Sequence, residues 1–386
     1  MKMNMKSIKT MLFSCLVAFS AFVFNSSIAH GAAEPVIIGS IAPATGNISM
    51  FGQSVVNGVR LAIEEINASG GVLGGRPLEL VFMDDRGDPT EGVNAYNRLI
   101  GSGVKAIIGP VTSSVGAGIA ERSNTDNMLM LTPTGTADSL TVGRPSVFRT
   151  CYTDSYQGRI VARFAFSTLG VKKIAAIYCG ADEYSLGLYE SFKEGCEEVG
   201  IEVIATEISA SMDDVDFSAQ LSNITVSDAE AIFAPYYYNT IGLLVPQARE
   251  AGFEGAIIGA DGWDGIEDRI GDNAAAFNNT YYTNFYAIDD PAERVQNFVK
   301  VYSNKYGNDG TLNGFSALGY DSAHMIAQAI NEANSDDTSK IIESMQKLNF
   351  SGATGVFTFD ENGNPQKGAA IIEMKDGVAK WSTTIE

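Results

Sequence analysis

Residues 36–85 read VIIGSIAPATGNISMFGQSVVNGVRLAIEEINASGGVLGGRPLELVFMDD. The stretch opens on a short, β-branched run at 36–41 that predicts a strand. After a polar loop, Val55, Val59, Ala62, Ile63 and Ile66 recur at steps of three and four, which predicts a helix over 52–69. Gly70-Gly71 stops it, and an apolar run at 78–83 ends in Asp84-Asp85. Strand, helix, strand, with strands that are apolar throughout, is the unit of a parallel sheet covered on both faces.

The pattern continues outward. Asp88-Pro89-Thr90-Glu91 reads as an N-cap, a proline at N1 and a glutamate at N3, so a helix runs to about residue 102. Strands are predicted at 105–108 and 128–131, the first turning into a helix and the second into a loop of Thr, Pro and Gly. Then the order begins again, with helices over 154–169, 184–199, 217–226 and 239–251 and strands over 173–178, 201–206, 229–234 and 256–260. Residues 36–85 and 173–214 share strand, polar loop, amphipathic helix, glycine stop, strand and acidic pair, which suggests internal similarity. The expectation is an α/β protein of two doubly wound parallel-sheet lobes, joined by short extended segments.

A chain of 386 residues, 45% hydrophobic and 19% charged, has apolar material for two cores. Its 26 Lys+Arg against 46 Asp+Glu give a net charge of −20, which opposes nucleic-acid binding and leaves no basic run for an anionic membrane. Lys2, Lys6 and Lys9 precede an apolar run over 11–24 and the small-residue site Ala29-His30-Gly31. This is the order of a secretory signal peptide cut after Gly31, so residues 1–31 are read as a leader and the protein as periplasmic or extracellular. Leu12-Phe13-Ser14-Cys15 offers a competing lipoprotein cut at Cys15, with too little apolar sequence before it. No later segment is apolar enough to span a membrane. His30 falls in the leader, so a Ser-His-Asp, Cys-His or His-rich zinc site would rest on His324 alone. Cys151, Cys179 and Cys196 lack metal spacing; Cys179 and Cys196 lie too far apart along a helix to pair, and all three read as small buried hydrophobes.

The dinucleotide fingerprint, the P-loop and the nucleophile elbow are absent, so the reading is not an enzyme and has no cofactor or metal. Asp84-Asp85 and Asp213-Asp214 read as solvated, since neighbours on an extended chain point opposite ways. One constellation remains. Residues 109–114 join a strand to a helix N-terminus, where free N–H groups and the positive dipole end suit an anion, and Ser113 and Ser114 add hydroxyls. The competing role for these serines is capping. A second polar loop, Thr132-Pro133-Thr134-Gly135-Thr136, follows the neighbouring strand, and the carboxyl ends of such strands are where open α/β sheets bind ligands. In the second half Asp261 follows the strand over 256–260, with Tyr184 and Tyr236-Tyr237-Tyr238 also at strand ends. Anion donors in one lobe and an acid in the other describe a clamp for a zwitterion.

At this point the sequence resembles the type I periplasmic solute-binding proteins of ABC importers, in the branched-chain amino-acid, Leu/Ile/Val-binding branch. The resemblance rests on Ile38-Gly39 with Pro43-Ala44-Thr45-Gly46, on Gly52-Gln53 and Gly58-Val59-Arg60-Leu61-Ala62, and on Ile66-Asn67-Ala68-Ser69-Gly70-Gly71. It continues through Asp84-Asp85, Ile107-Ile108-Gly109-Pro110, Ser113-Ser114, Thr132 to Thr136, Gln247-Ala248-Arg249-Glu250-Ala251-Gly252 and Tyr320-Asp321-Ser322-Ala323. It implies lobes of 34–152 plus 286–355 and 153–285 plus 356–386, joined by three crossovers with a ligand cleft between. It also implies a monomer that closes on an amino acid and delivers it to an inner-membrane permease. Ser113 and Thr136, with Ser114, would then hold the carboxylate. The Thr134 carbonyl and Asp261 would take the ammonium, and Tyr184 and Tyr237 would close over the ligand's backbone atoms. Phe51 would lie near its side chain, with Tyr320 flanking. Asp261 stands where the family often has Glu, one methylene longer, so the ligand could instead be an amide, urea or an aromatic acid, or the fold could serve a sensing receptor.

Overall fold

The computed structural model describes residues 33–307 and 309–385. The leader read over 1–31, and Cys15 within it, lie outside the described residues.

The first half forms β1 (Val36–Ala42), α1 (Ser49–Ala68), β2 (Leu78–Asp84), α2 (Pro89–Gly101), β3 (Ala106–Ile108), α3 (Ser113–Thr125), β4 (Leu129–Thr132) and β5 (Val147–Arg149). Asp88 caps α2 as its sequence implies, accepting from the Thr90 and Glu91 N–H groups. The sheet is fully parallel in the order β2-β1-β3-β4-β5. The second half forms α4 (Asp154–Ser167), β6 (Lys173–Cys179), α5 (Glu183–Val199), β7 (Glu202–Ser209), α6 (Ser218–Thr225), β8 (Ala231–Phe233), α7 (Tyr238–Glu250), β9 (Ala256–Gly259), α8 (Glu267–Ile270) and β10 (Thr280–Asn284). Its strands repeat the same order, β7-β6-β8-β9-β10, in parallel. The chain is α/β, with two doubly wound parallel-sheet lobes.

After residue 260 the alternation gives out as a sequence signal. The chain returns to the first sheet with α9 (Glu293–Tyr306), α10 (Gly314–Ala333) and α11 (Thr338–Met345), makes the hairpin β11 (Asn349–Gly352) and β12 (Gly355–Thr358), and crosses back to add β13 (Ala369–Lys375) and β14 (Val378–Ile385), both antiparallel, to the edge at β10. It therefore passes between the sheets three times. β5 escaped the reading because its apolar run is only Val147-Phe148 before Arg149. Of the acidic pairs, Asp213 is exposed, as read, whereas Asp84 and Asp214 are half-buried on backbone N–H groups and Asp85 is buried. Asp84 accepts from the N–H groups of Ala44, Thr45 and Arg86 and from the Thr45 hydroxyl, pinning the loop after β1, while Asp85 is fully buried and turns the chain through Gly87 N–H. Asp213-Asp214 lies beyond the end of β7, where Asp214 accepts from Ala210 and Ser211 N–H. Cys151, Cys179 and Cys196 are buried and unpaired, as read.

Each lobe contains one helix pair packed backbone to backbone. A Cβ on Gly58 of α1 would lie 2.0 Å from the Ser316 carbonyl oxygen of α10, and one on Gly319 would lie 2.3 Å from that of Val55. In the other lobe a Cβ on Gly158 of α4 would stand 2.5 Å from the Phe192 nitrogen of α5. Gly58→Ala therefore tests packing against propensity. Alanine favours an isolated helix by about 1 kcal/mol, but here the obstacle is a carbonyl in a second helix, and overpacking costs about 1–3 kcal/mol. We expect Gly58→Ala to lower the urea midpoint with an unchanged slope.

Candidate functional site

The carboxyl ends of β3 and β4 form one wall. Three hydrogen bonds tie their loops together. Thr132 Oγ1 donates to the Pro110 carbonyl at 2.6 Å, Thr134 Oγ1 donates to the Val111 carbonyl at 2.6 Å, and Ala137 N–H donates to Ser113 Oγ at 3.2 Å. Arg149, fully buried on β5, donates to the carbonyls of Gly135, Thr136 and Ala137. The loop's carbonyls are thus drawn onto a guanidinium. Thr112 makes no side-chain cap on α3, so the first N–H groups of that helix stand beside the loop with the positive end of the dipole. Thr136 Oγ1 is buried with no well-formed hydrogen bond among the described residues, and neither carboxylate oxygen of Asp154 has one. Asp154 N–H donates to the Thr136 carbonyl at 2.9 Å. Burial holds the Asp154 carboxyl well above the usual carboxylate range, with the Thr136 hydroxyl opposing it.

The second wall comes from the carboxyl ends of β6, β8 and β9. Asp261 is 2% exposed. Gln157 Nε2 donates to its Oδ1 at 2.8 Å and Tyr184 Oη donates to the same oxygen at 3.2 Å, while Asp261 N–H returns to Gln157 Oε1 at 3.0 Å. Burial pushes the Asp261 carboxyl up to about 6, against the pull of the Gln157 and Tyr184 hydrogen bonds. Gly262 N–H donates to Tyr184 Oη at 2.8 Å, so the tyrosine is oriented by the same turn it serves. Trp263 locks that turn from beneath, its Nε1 donating to the Ala234 carbonyl at 2.9 Å under Gly259, where a Cβ would collide with the indole.

The walls meet through aromatic rings. Tyr184 stacks on Tyr237 at 5.1 Å between centroids, Tyr237 meets Phe51 of α1 edge-on at 5.6 Å, and Phe51 lies flat on Phe315 of α10 at 4.1 Å. Phe51, Tyr184, Tyr237 and Asp261 are thereby brought together, and Ser113, Thr134 and Thr136 form the facing loops. Ser114 stands apart from the role read for it. Its hydroxyl donates to Asp182 Oδ2 at 2.8 Å and accepts from Glu183 N–H, so it clasps the N-terminus of α5 across the gap. Ser139 donates to Glu183 Oε1 at 2.9 Å beside it. Tyr320 is not brought to the cleft. It lies along α10 with its hydroxyl on Glu65 and its ring against Phe298 and His324. Sequence reasoning missed Arg149, Asp154 and Gln157. Arg149 sits on a strand and Asp154 and Gln157 open α4, and no local motif marks any of them.

The periplasmic binding protein family model matches residues 35–379. The chain is 30% identical over 367 residues to the Leu/Ile/Val-binding protein homolog 3 of Brucella melitensis, covering 94% of this chain and 95% of that one. Among solved structures it is similar to the leucine-binding protein LivK of Thermotoga maritima, with 36% identity, a TM-score of 0.85, and coverage of 91% of this chain and 98% of that one. It is also similar to the branched-chain amino-acid transporter substrate-binding protein LivJ of Streptococcus pneumoniae, solved in complex with isoleucine, with 30% identity, a TM-score of 0.82, and 91% and 99% covered. Matched by the family model over residues 35–379 and by these relatives along nearly all of its described length, the chain belongs to the periplasmic binding protein family.

Proposed function

We propose that the protein captures a branched-chain amino acid between its lobes, outside the cytoplasm, and delivers it as a monomer to an ABC permease. The observation that carries this is Asp261: a carboxylate shut away from water whose side-chain donors, Gln157 and Tyr184, are both neutral. A buried charge without a counter-charge is unfavourable unless a ligand supplies one. An ammonium does so, and the N-terminus of α3 with Ser113 and Thr136 across the gap suits the carboxylate of the same molecule. The Thr134 carbonyl adds an acceptor for the ammonium. The similarity to LivK and LivJ supports an aliphatic side chain, which Phe51 and Tyr237 would cover. A neutral amide or a purely anionic aromatic acid leaves Asp261 unanswered.

The lobes are proposed as 34–152 plus 286–355 and 153–285 plus 356–386. Closure joins contacts that an open form lacks: Ser114 to Asp182, Ser139 to Glu183, and Tyr237 against Phe51. Water expelled by closure strengthens both charge interactions.

Three measurements test this reading. Leucine, isoleucine and valine should raise the melting temperature, as ligands of the native state do, while urea and benzoate should not. In calorimetry Asp261→Ala should weaken binding at least about 30-fold with the fold retained, the cost of removing one partner of a buried charge pair. Native-like affinity in that variant would dismiss the ammonium assignment. The third is pH. The free Asp261 carboxyl stands at about 6, and an ammonium beside it draws it back toward its ordinary value of 3.8. The complex then holds fewer protons between those values, so leucine affinity should rise as pH climbs from about 4 to 6 and level off above, with proton release visible as buffer-dependent heat.

A further inference from the structure

Where the chain leaves β10 it borders a cavity of about 310 Å³ that includes none of the cleft side chains named above. Its lining draws on the turn after β9, the crossover after β10, the start of α10 and β14, so an occupant would touch both of the chain portions that meet there. Four carboxylates line it, Asp264, Glu267, Asp268 and Asp289, against one basic side chain, Lys380. Asp264 lies deepest: it is 6% exposed, and its Oδ2 accepts from Gly314 N–H at 2.6 Å. An acidic cluster alone would carry nothing. However, Tyr286 also lines the cavity, is only 5% exposed, and its hydroxyl has no hydrogen-bond partner among the described residues. Trp381, 39% exposed, supplies an aromatic wall at the rim.

The chemistry selects the occupant. The excess of carboxylates calls for a cation. Among the described residues no group of three or more His, Cys, Asp and Glu is arranged to hold a metal ion. An ammonium needs no such shell: it donates three hydrogen bonds and is attracted to aromatic faces. We propose that this cavity is a second ligand site, taking a small aliphatic diamine, with one ammonium between Asp264 and the Tyr286 hydroxyl and the other end at Glu267 under Trp381. Burial and the Glu267 charge push the Asp264 carboxyl up to about 7, so an arriving ammonium also displaces a proton near neutrality.

The test is calorimetry on the full chain with butane-1,4-diamine, at saturating leucine so that the cleft is filled, with butane-1,4-diol and magnesium chloride as comparators. One saturable site for the diamine, none for the diol and weaker or no binding of magnesium are expected. Heat should depend on buffer ionisation near pH 7. Glu267→Gln and Trp381→Leu, both at exposed positions, should keep the melting transition and each weaken the diamine at least about threefold. Absence of a saturable site, diamine affinity indifferent to both substitutions, or tighter binding of magnesium would each overturn the assignment. If leucine itself fails to bind, the Glu267→Gln and Trp381→Leu variants, whose side chains line this cavity and not the cleft, still report on the diamine site.

Discussion

Gln157 reaches Asp261 from α4 and Tyr184 reaches it from α5, and both donors are neutral. The carboxylate at the end of β9 is thus oriented on two sides while its charge stays unmatched. Much of the surrounding architecture maintains this arrangement. Gln157 is itself fixed by the Thr283 hydroxyl on β10 and by the Asp261 N–H. Tyr184 takes the Gly262 N–H, and Trp263 braces the turn from below. Two helices, two strands and a turn therefore converge on one oxygen atom. Such a network costs stability in the empty protein and is favourable only with a partner in place.

The facing wall solves the opposite electrostatic problem. Arg149 gathers the carbonyls of residues 135–137, which removes negative ends from the neighbourhood of α3. What remains is a helix start without a side-chain cap and a hydroxyl, Thr136, without a well-formed partner. The guanidinium supports the loop without presenting its charge to the cleft as a simple counter-ion, and burial disfavours the charged form of the neighbouring Asp154. Each wall is thus prepared by residues that need not touch the bound molecule.

How much of this the bare sequence disclosed depends on whether a residue acts locally. The strand ends after β3, β4 and β9 were legible because apolar runs and glycine stops are read within a few residues. Asp88 was legible because an N-cap is a local motif. Arg149 and Gln157 were not, because their partners sit on other elements and nothing in their own neighbourhood marks them. Tyr320 was misplaced for a related reason: a motif locates it on a helix but not on the side facing the cleft, and α10 presents it to Glu65. Ser114 was assigned to a ligand because its true partner, Asp182, is a cap 68 residues away. The solvated reading of Asp85 failed because the backbone turns immediately after β2, carrying the residue inward where alternation along a strand would leave it out.

The two tryptophans occupy opposite optical environments. Trp263 is sealed from solvent two residues beyond Asp261, whereas Trp381 stands partly in water at the mouth of the second cavity. The protein therefore carries an intrinsic pair of fluorophores of different colour, one beside each site. Emission at the blue edge tracks the turn that bears the carboxylate, and the red edge, with its quenching by iodide, tracks β14. Events at the two places can be followed in one cuvette without attaching a label.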